Sequence, residues 1–200
     1  VDVSYPSIPL FLLYNPELVK GMMRPIYKFT KSDAWKYDFA PHDAGQYPIL
    51  NGQVYGLNRE TGELMFHKQM PVEECGNMLV MEATVALATK STAFANEHLD
   101  ILEDWVKYLI NNGRDPENQL CTDDFAGHLA HNCNLSLKAV MGLRGMAIIQ
   151  EMLGDKEQAD FYLAEAEKMI DKCNKFFKRG LISDDERSRQ VIEIWNKATE

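Results

Sequence analysis

From residue 70 onward the chain alternates between helices that are apolar on every side and helices that are apolar on one side, and that order leaves few ways to fold. The spacing predicts a first helix from about Glu73 to Lys90. Its run Met78, Leu79, Val80, Met81, Ala83, Val85, Ala86, Leu87, Ala88 has almost no polar face. A second helix, about Phe94 to Asn112, carries a single stripe of Phe94, Ile101, Leu102, Trp105 and Leu109, and Gly113 ends it. A third, about Leu135 to Leu153, is again apolar nearly all round, and Gly154 closes it. A fourth, about Lys156 to Phe177, is amphipathic through Ala159, Tyr162, Ala166, Met169 and Phe176. A helix apolar on every side must be covered on every side, whereas an amphipathic one can face water. The simplest arrangement is an inner layer of the first and third helices and an outer layer of the second and fourth. The expected fold class is therefore all-α: α/α hairpins forming an arc, part of an (α/α)6 toroid.

The first 70 residues read differently, with six of the eight prolines and many aromatics. Asn15-Pro16-Glu17 is an N-cap, a proline at the first helical position and a first-turn acid, so a helix should run from about Pro16 towards Thr30, with Pro25 kinking or dividing it. Pro6 and Pro9 interrupt the apolar stretch before it, which has no basic n-region and does not read as a signal peptide. With no initiating Met, the chain reads as processed or recloned. Residues 31–70 read as a long ordered loop with room for short strands; loops of that length inside a compact domain are usually functional. The whole is expected to be one partial domain over 1–200: helix and loop to 70, a hairpin over 71–113, a site loop over 114–134, a hairpin over 135–178, and a polar tail over 179–200. Ile192, Ile194 and Trp195 suggest a short terminal helix in that tail.

Composition closes off some functions. A net charge of -9 argues against nucleic acid, whose phosphates need clustered Lys and Arg. No apolar run is long enough to span a membrane. Cys75, Cys121, Cys133 and Cys173 include no CxxC, so a zinc site is not indicated and buried thiols are the plain reading; a Cys121–Cys133 disulfide stays open.

Polar groups concentrate in PHDAGQYPILNGQVYG (41–56), MPVEECGNM (70–78) and CTDDFAGHLAHNCN (121–134). The last two segments lead into the two all-round apolar helices. Parallel inner helices would put both of these segments at one end, where unpaired N–H groups favour anions. The expected catalytic carboxylates are Asp43, Glu73, Asp123 and Asp124. Substrate contacts are expected from His42, Tyr55, Glu74, Asn77, His128, His131 and Asn132. Each also has a structural reading. Glu73 and Glu74 are first-turn acids on a helix dipole, Asp123-Asp124 a cap or turn pair, and His42-Asp43 a turn with an ion pair. His128 and His131 share a spacing of i, i+3, but no further ligand is evident, so neither a metal nor any cofactor is expected. With no GxSxG and no GxxxxGK[ST], and with Ser136 on a helix expected to be buried, water attack driven by carboxylates is more natural than a serine relay.

SYPSIPLFLLYNPELVKGMMRPI, PHDAGQYPILNGQVYG, MPVEECGNMLVM and DPENQLCTDDFAGHLAHNCNLSLKAVMG together resemble the glutaminase A family over about residues 4–170. The resemblance implies a six-helical-hairpin domain like that of (α/α)6 glycosidases. It also implies hydrolysis of L-glutamine to glutamate and ammonia by an enzyme that is secreted, periplasmic or at the cell surface. Family members carry a β-rich region upstream and further hairpins, which this chain lacks, and the tail after Lys178 departs from the usual continuation. The chain is thus expected to be a fragment with little activity of its own, with missing segments as partners and an apolar edge open to self-association. One alternative is a glycoside hydrolase with Trp35, Tyr37, Tyr47 and Tyr55 as a sugar platform and carboxyls ~6.5–9.5 Å apart. Another is a helical binding module without catalysis.

Overall fold

A computed structural model describes residues 1–178 except 51 and 123–127, with the side chains of 172–178 left aside. Among the described residues the regular elements are all helices, with one isolated antiparallel bridge between Leu57 and Leu64. The order is α1 (Ser4–Tyr14), α2 (Pro16–Thr30), α3 (Pro71–Thr89), α4 (Ala93–Asn96), α5 (Leu99–Asn112), α6 (Cys133–Leu153) and α7 (Lys156–Lys178).

The burial follows the alternation in the sequence. Fourteen of the nineteen residues of α3 are buried, against five of the fourteen in α5. Helix α3 packs chiefly on α6, and α6 also carries α7 on its outer side. Three glycines set the α3–α6 approach. A Cβ at Gly76 would lie 2.9 Å from the Lys138 carbonyl oxygen. One at Gly142 would lie 3.1 Å from the Gly76 Cα, and one at Gly145 would lie 2.9 Å from the Leu79 carbonyl oxygen. Rising numbers on one helix meet rising numbers on the other, so α3 and α6 run parallel and their N-termini share one end.

The helices differ from the sequence expectation in local detail. Helix α1 forms across Pro6 and Pro9. Pro6 stands in the first turn, where no intrahelical N–H bond is lost, so only Pro9 removes one. Helix α2 continues through Pro25 to Thr30 rather than dividing there. The expected second helix is split into α4 and α5 at His98, whose ring stacks on Tyr27 at 3.9 Å between centroids. No proline or glycine marks that break; a tertiary contact accompanies it.

The 31–70 segment is a long loop ending in a 3-10 turn, Phe66–Lys68. It is wrapped around its own aromatic side chains. Trp35 is buried and meets Phe29, Tyr37 and Phe39, and Phe39 also meets Phe66 and Tyr108. Gln53 and Gln69 exchange two hydrogen bonds of 2.9 and 2.6 Å beneath it. Cys75, Cys121 and Cys133 are thiols, so the Cys121–Cys133 bridge that the sequence leaves open is not formed. The expected terminal helix around Trp195 lies outside the described residues. No helix among the described residues is long and apolar enough to cross a membrane.

Candidate functional site

The shared N-terminal end of α3 and α6 holds the polar groups. Pro71 starts α3 with its missing N–H at no cost, and the Val72 N–H donates to Gln119 Oε1 at 3.0 Å. Glu73 then turns towards the loop between α5 and α6. It accepts from the Thr122 backbone N–H at 2.7 Å and from the Thr122 hydroxyl at 2.8 Å. On the facing helix, Asn132 caps α6 by accepting from the N–H groups of Asn134 and Leu135.

Lys138 joins the two helices. Because Gly76 lets the backbones approach, the Lys138 side chain crosses α3 and donates to Asn77 Oδ1 at 2.7 Å. Its ammonium lies 4.0 Å from Glu73 Oε1 and 3.8 Å from the centre of the Tyr5 ring, a cation–π contact. Asn77 in turn donates to Glu74 Oε2 at 3.1 Å.

Behind this row lies a second cluster. Glu74 is fully buried, and burial pushes its carboxyl up to about 7. His42 Nε2 is 3.6 Å from Asp2 Oδ1, and His42 Nδ1 is 3.1 Å from Asp43 Oδ2. Burial works against an imidazolium here, but the bonds to Asp2 and Asp43 outweigh it and raise His42 to about 9. The hydrogen bond to His42 holds Asp2 down at about 2 against the opposing effect of burial. Asp43 Oδ1 accepts from the N–H groups of Gly45 at 3.0 Å and Val54 at 2.8 Å, so this carboxylate also ties the 43–54 turn. The Tyr55 ring meets His42 edge-on at 5.6 Å while staying largely exposed.

A cavity of about 220 Å³ opens at the same end, lined by Asp2, Tyr5, Glu73, Thr122, Asn132 and Lys138, with Asn134 at its wall. Of the residues singled out in the sequence, Glu73 and Asn132 line it directly. Asn77 stands one hydrogen bond behind Lys138 and Glu74 one further, and His42 and then Asp43 stand behind Asp2. His131 is elsewhere: its ring pairs with Asp115 at 2.8 Å on the surface and its N–H bonds the Pro116 carbonyl, a loop brace. His128 is exposed. Asp123 and Asp124 lie outside the described residues. The proposed sugar platform does not form from Trp35 and Tyr37, which belong to the aromatic packing under the 31–70 loop.

Asp2, Thr122 and Lys138 escaped the sequence reading. Lys138 had a signal, since it is one of few charges in a helix otherwise apolar all round. Thr122 lay in the polar 121–134 segment without being singled out, and Asp2 had no signal, because chain folding alone brings it there.

The model of the glutaminase A six helical-hairpin domain matches residues 1–189. The chain belongs to this family. It is 37% identical over 171 residues to Glutaminase A of Aspergillus oryzae, a match covering 85% of this chain and 24% of that protein. It is 25% identical over 233 residues to a probable glutaminase of Arthroderma benhamiae, covering 88% of this chain and 26% of that protein. The chain thus spans about a quarter of the length of these curated relatives. A shorter likeness, 40% identity over 58 residues, links 29% of the chain to 5% of the DNA-directed RNA polymerase subunit beta' of Clostridioides difficile. No solved structure matches the chain.

Proposed function

We propose that the chain is part of a glutaminase-like hydrolase whose substrate-facing surface is the cavity at the N-terminal ends of α3 and α6. The observation that carries this reading is the pairing of opposite charges in one small cavity. Lys138 supplies a cation, Asp2 and Glu73 supply carboxylates, and Asn132, Asn134 and Thr122 supply neutral polar groups. Free glutamine presents the same three chemistries: a carboxylate, an ammonium and an uncharged amide. In this reading a carboxylate, Glu73 or Asp124, takes a proton from water. The resulting hydroxide adds to the side-chain carbonyl carbon. The C–N bond then breaks as a second acid gives a proton to the leaving nitrogen, releasing ammonia and glutamate. Asp43 holds His42 and the 43–54 turn rather than meeting substrate.

Turnover belongs to the whole protein, in which the remaining hairpins and an upstream β-rich region complete the site. The whole protein acts outside the cytoplasm, and the isolated chain has little activity. Exposed Leu10, Leu13, Tyr14 and Leu18 on α1 and α2 form an apolar edge that such neighbours would cover. The glycosidase reading loses two of the four aromatics of its sugar platform, since Trp35 and Tyr37 pack under the 31–70 loop. The test is ammonia release from L-glutamine, beside cleavage of aryl glycosides, by the full-length parent. Lys138→Ala and Glu73→Gln are expected to lower kcat/KM for glutamine by roughly 10²-fold or more. Unchanged glutamine kinetics in both variants, or turnover of glycosides alone, would overturn the reading.

A further inference from the structure

The sequence points to no metal, yet the fold gathers a set of donors that suits one. We propose that Asp2, His42 and Glu74 form a binding site for one divalent first-row cation, with Asp43 orienting the histidine from behind. The three donors come from three separate stretches: the N-terminal residues, the 41–56 segment and the first turn of α3. One oxygen or nitrogen from each lies within 4.8 Å of the other two. An ion with bonds of ~2.0–2.2 Å needs its ligand atoms ~3–3.5 Å apart, so side-chain rotations of about 1 Å close the set.

The surroundings favour this use over an ordinary ion-pair cluster. His42 engages Asp43 Oδ2 through Nδ1 at 3.1 Å, which leaves Nε2 facing Asp2 and Glu74. A carboxylate on the far nitrogen is the usual support of a metal-bound imidazole, fixing its tautomer and its plane. Asp43 is itself held by two backbone N–H groups; Glu74 Oε2 accepts from Asn77, and Glu74 Oε1 accepts from the Asp2 backbone N–H at 3.2 Å, which ties the two carboxylates together. Glu74 is fully buried beside a second carboxylate, an arrangement that needs positive charge close by. A divalent ion meets that demand with directed bonds. Two carboxylates and one imidazole suit Mn²⁺ or Zn²⁺. Since Asp2 also lines the cavity, an open coordination position would face the substrate side.

The test is titration of the chelator-stripped 200-residue chain with Mn²⁺ alone, followed by calorimetry and by loss of the free-ion electron paramagnetic resonance signal. Mn²⁺ avoids interference from the thiols. One ion per chain is expected. His42→Ala and Asp2→Asn should each remove saturable binding, and Asp43→Asn, which keeps all three ligands, should weaken it roughly 10- to 100-fold. His131→Ala, at a histidine–aspartate pair on the surface, should change nothing. Asp2→Asn sits at a partly exposed position, so it reads the site even if another variant misfolds. Absence of saturable binding, or binding that survives both His42→Ala and Asp2→Asn, would overturn the proposal. Binding rather than turnover is measured, so the result stands apart from the glutaminase reading.

Discussion

Glu73 at the start of α3 accepts two hydrogen bonds from the single residue Thr122, at 2.7 and 2.8 Å, and so pins the α5–α6 loop to the end of the inner layer. Both bonds go to a carboxylate, and bonds to charged groups contribute more than neutral ones. Thr122→Val removes the hydroxyl bond and keeps the backbone one. It is expected to lower the unfolding free energy by about 1 kcal/mol, and Glu73→Gln by about 1–3 kcal/mol. Urea midpoints measure both. If Thr122→Val costs as much as Glu73→Gln, the backbone bond is not holding the loop.

Helix packing gives a paired test. Gly145 faces the Leu79 carbonyl oxygen, a rigid backbone atom, so Gly145→Ala must push α6 away from α3. Overpacking costs ~1–3 kcal/mol, more than the ~1 kcal/mol that alanine gains over glycine as a helix former. Gly21, in the interior of α2, has no atom within 4 Å of where a Cβ would stand. Gly21→Ala should therefore stabilise by ~0.5–1 kcal/mol. Thermal melts of the two variants should move in opposite directions. A stabilising Gly145→Ala would show that the inner helices are not in close contact there.

The helices of the second half were legible because burial on every side imposes an unbroken apolar pattern, as in Met78 to Ala88. The N-terminal helix was not, because Pro6 and Pro9 look like breakers until it is known that one of them falls in the first turn. The break at His98 has no local signal, since it goes with the Tyr27 stack formed across the fold. The site was legible only as segments. Glu73, Asn77 and Asn132 could be read from their places at the starts of helices. Asp2 could not, and Lys138 stood out only as a charge in an apolar helix, because their meeting depends on the α3–α6 approach at Gly76 and on the path of α1. His131 pairs with Asp115 and bonds the Pro116 carbonyl, and a histidine that braces a turn has the same sequence appearance as one that meets a ligand.

Glu82 makes a pH-dependent contribution to stability. It lies fully buried on α3, accepts the Tyr27 hydroxyl at 2.6 Å through Oε2, and leaves Oε1 without a partner. Burial raises its carboxyl from 4.5 to about 7, despite the Tyr27 bond and Lys20. The folded state therefore holds this proton more tightly than the unfolded one. The contribution is complete below pH 4.5 and is lost as pH rises through about 7, by roughly 3 kcal/mol at most. Glu74 is shifted in the same direction by burial. Glu82→Gln keeps an acceptor for Tyr27 and removes the titration. It should flatten the stability profile between pH 4.5 and 7 and stabilise the protein above it. Denaturant titrations at several pH values check this. An unchanged slope would mean that Glu82 is charged in the folded state throughout.

His42 should keep its proton far longer than an ordinary histidine. Burial alone would discharge it, but Asp2 and Asp43 flank its two nitrogens and Glu74 lies close by, which together raise it from 6.5 to about 9. The stability this confers is fully present below pH 6.5 and is lost as pH rises through about 9. His98 is the internal contrast. Burial, with Lys31 next, lowers its value, so it should lose its proton below 6.5. Imidazole proton shifts, followed by nuclear magnetic resonance in metal-free buffer, resolve the two. Asp2→Asn removes one flanking charge while leaving Asp43 in place, so the His42 midpoint should fall but stay above that of His98. A His42 midpoint at or below 6.5 in the unaltered chain would show that the Asp2–His42–Asp43 row is not assembled in solution.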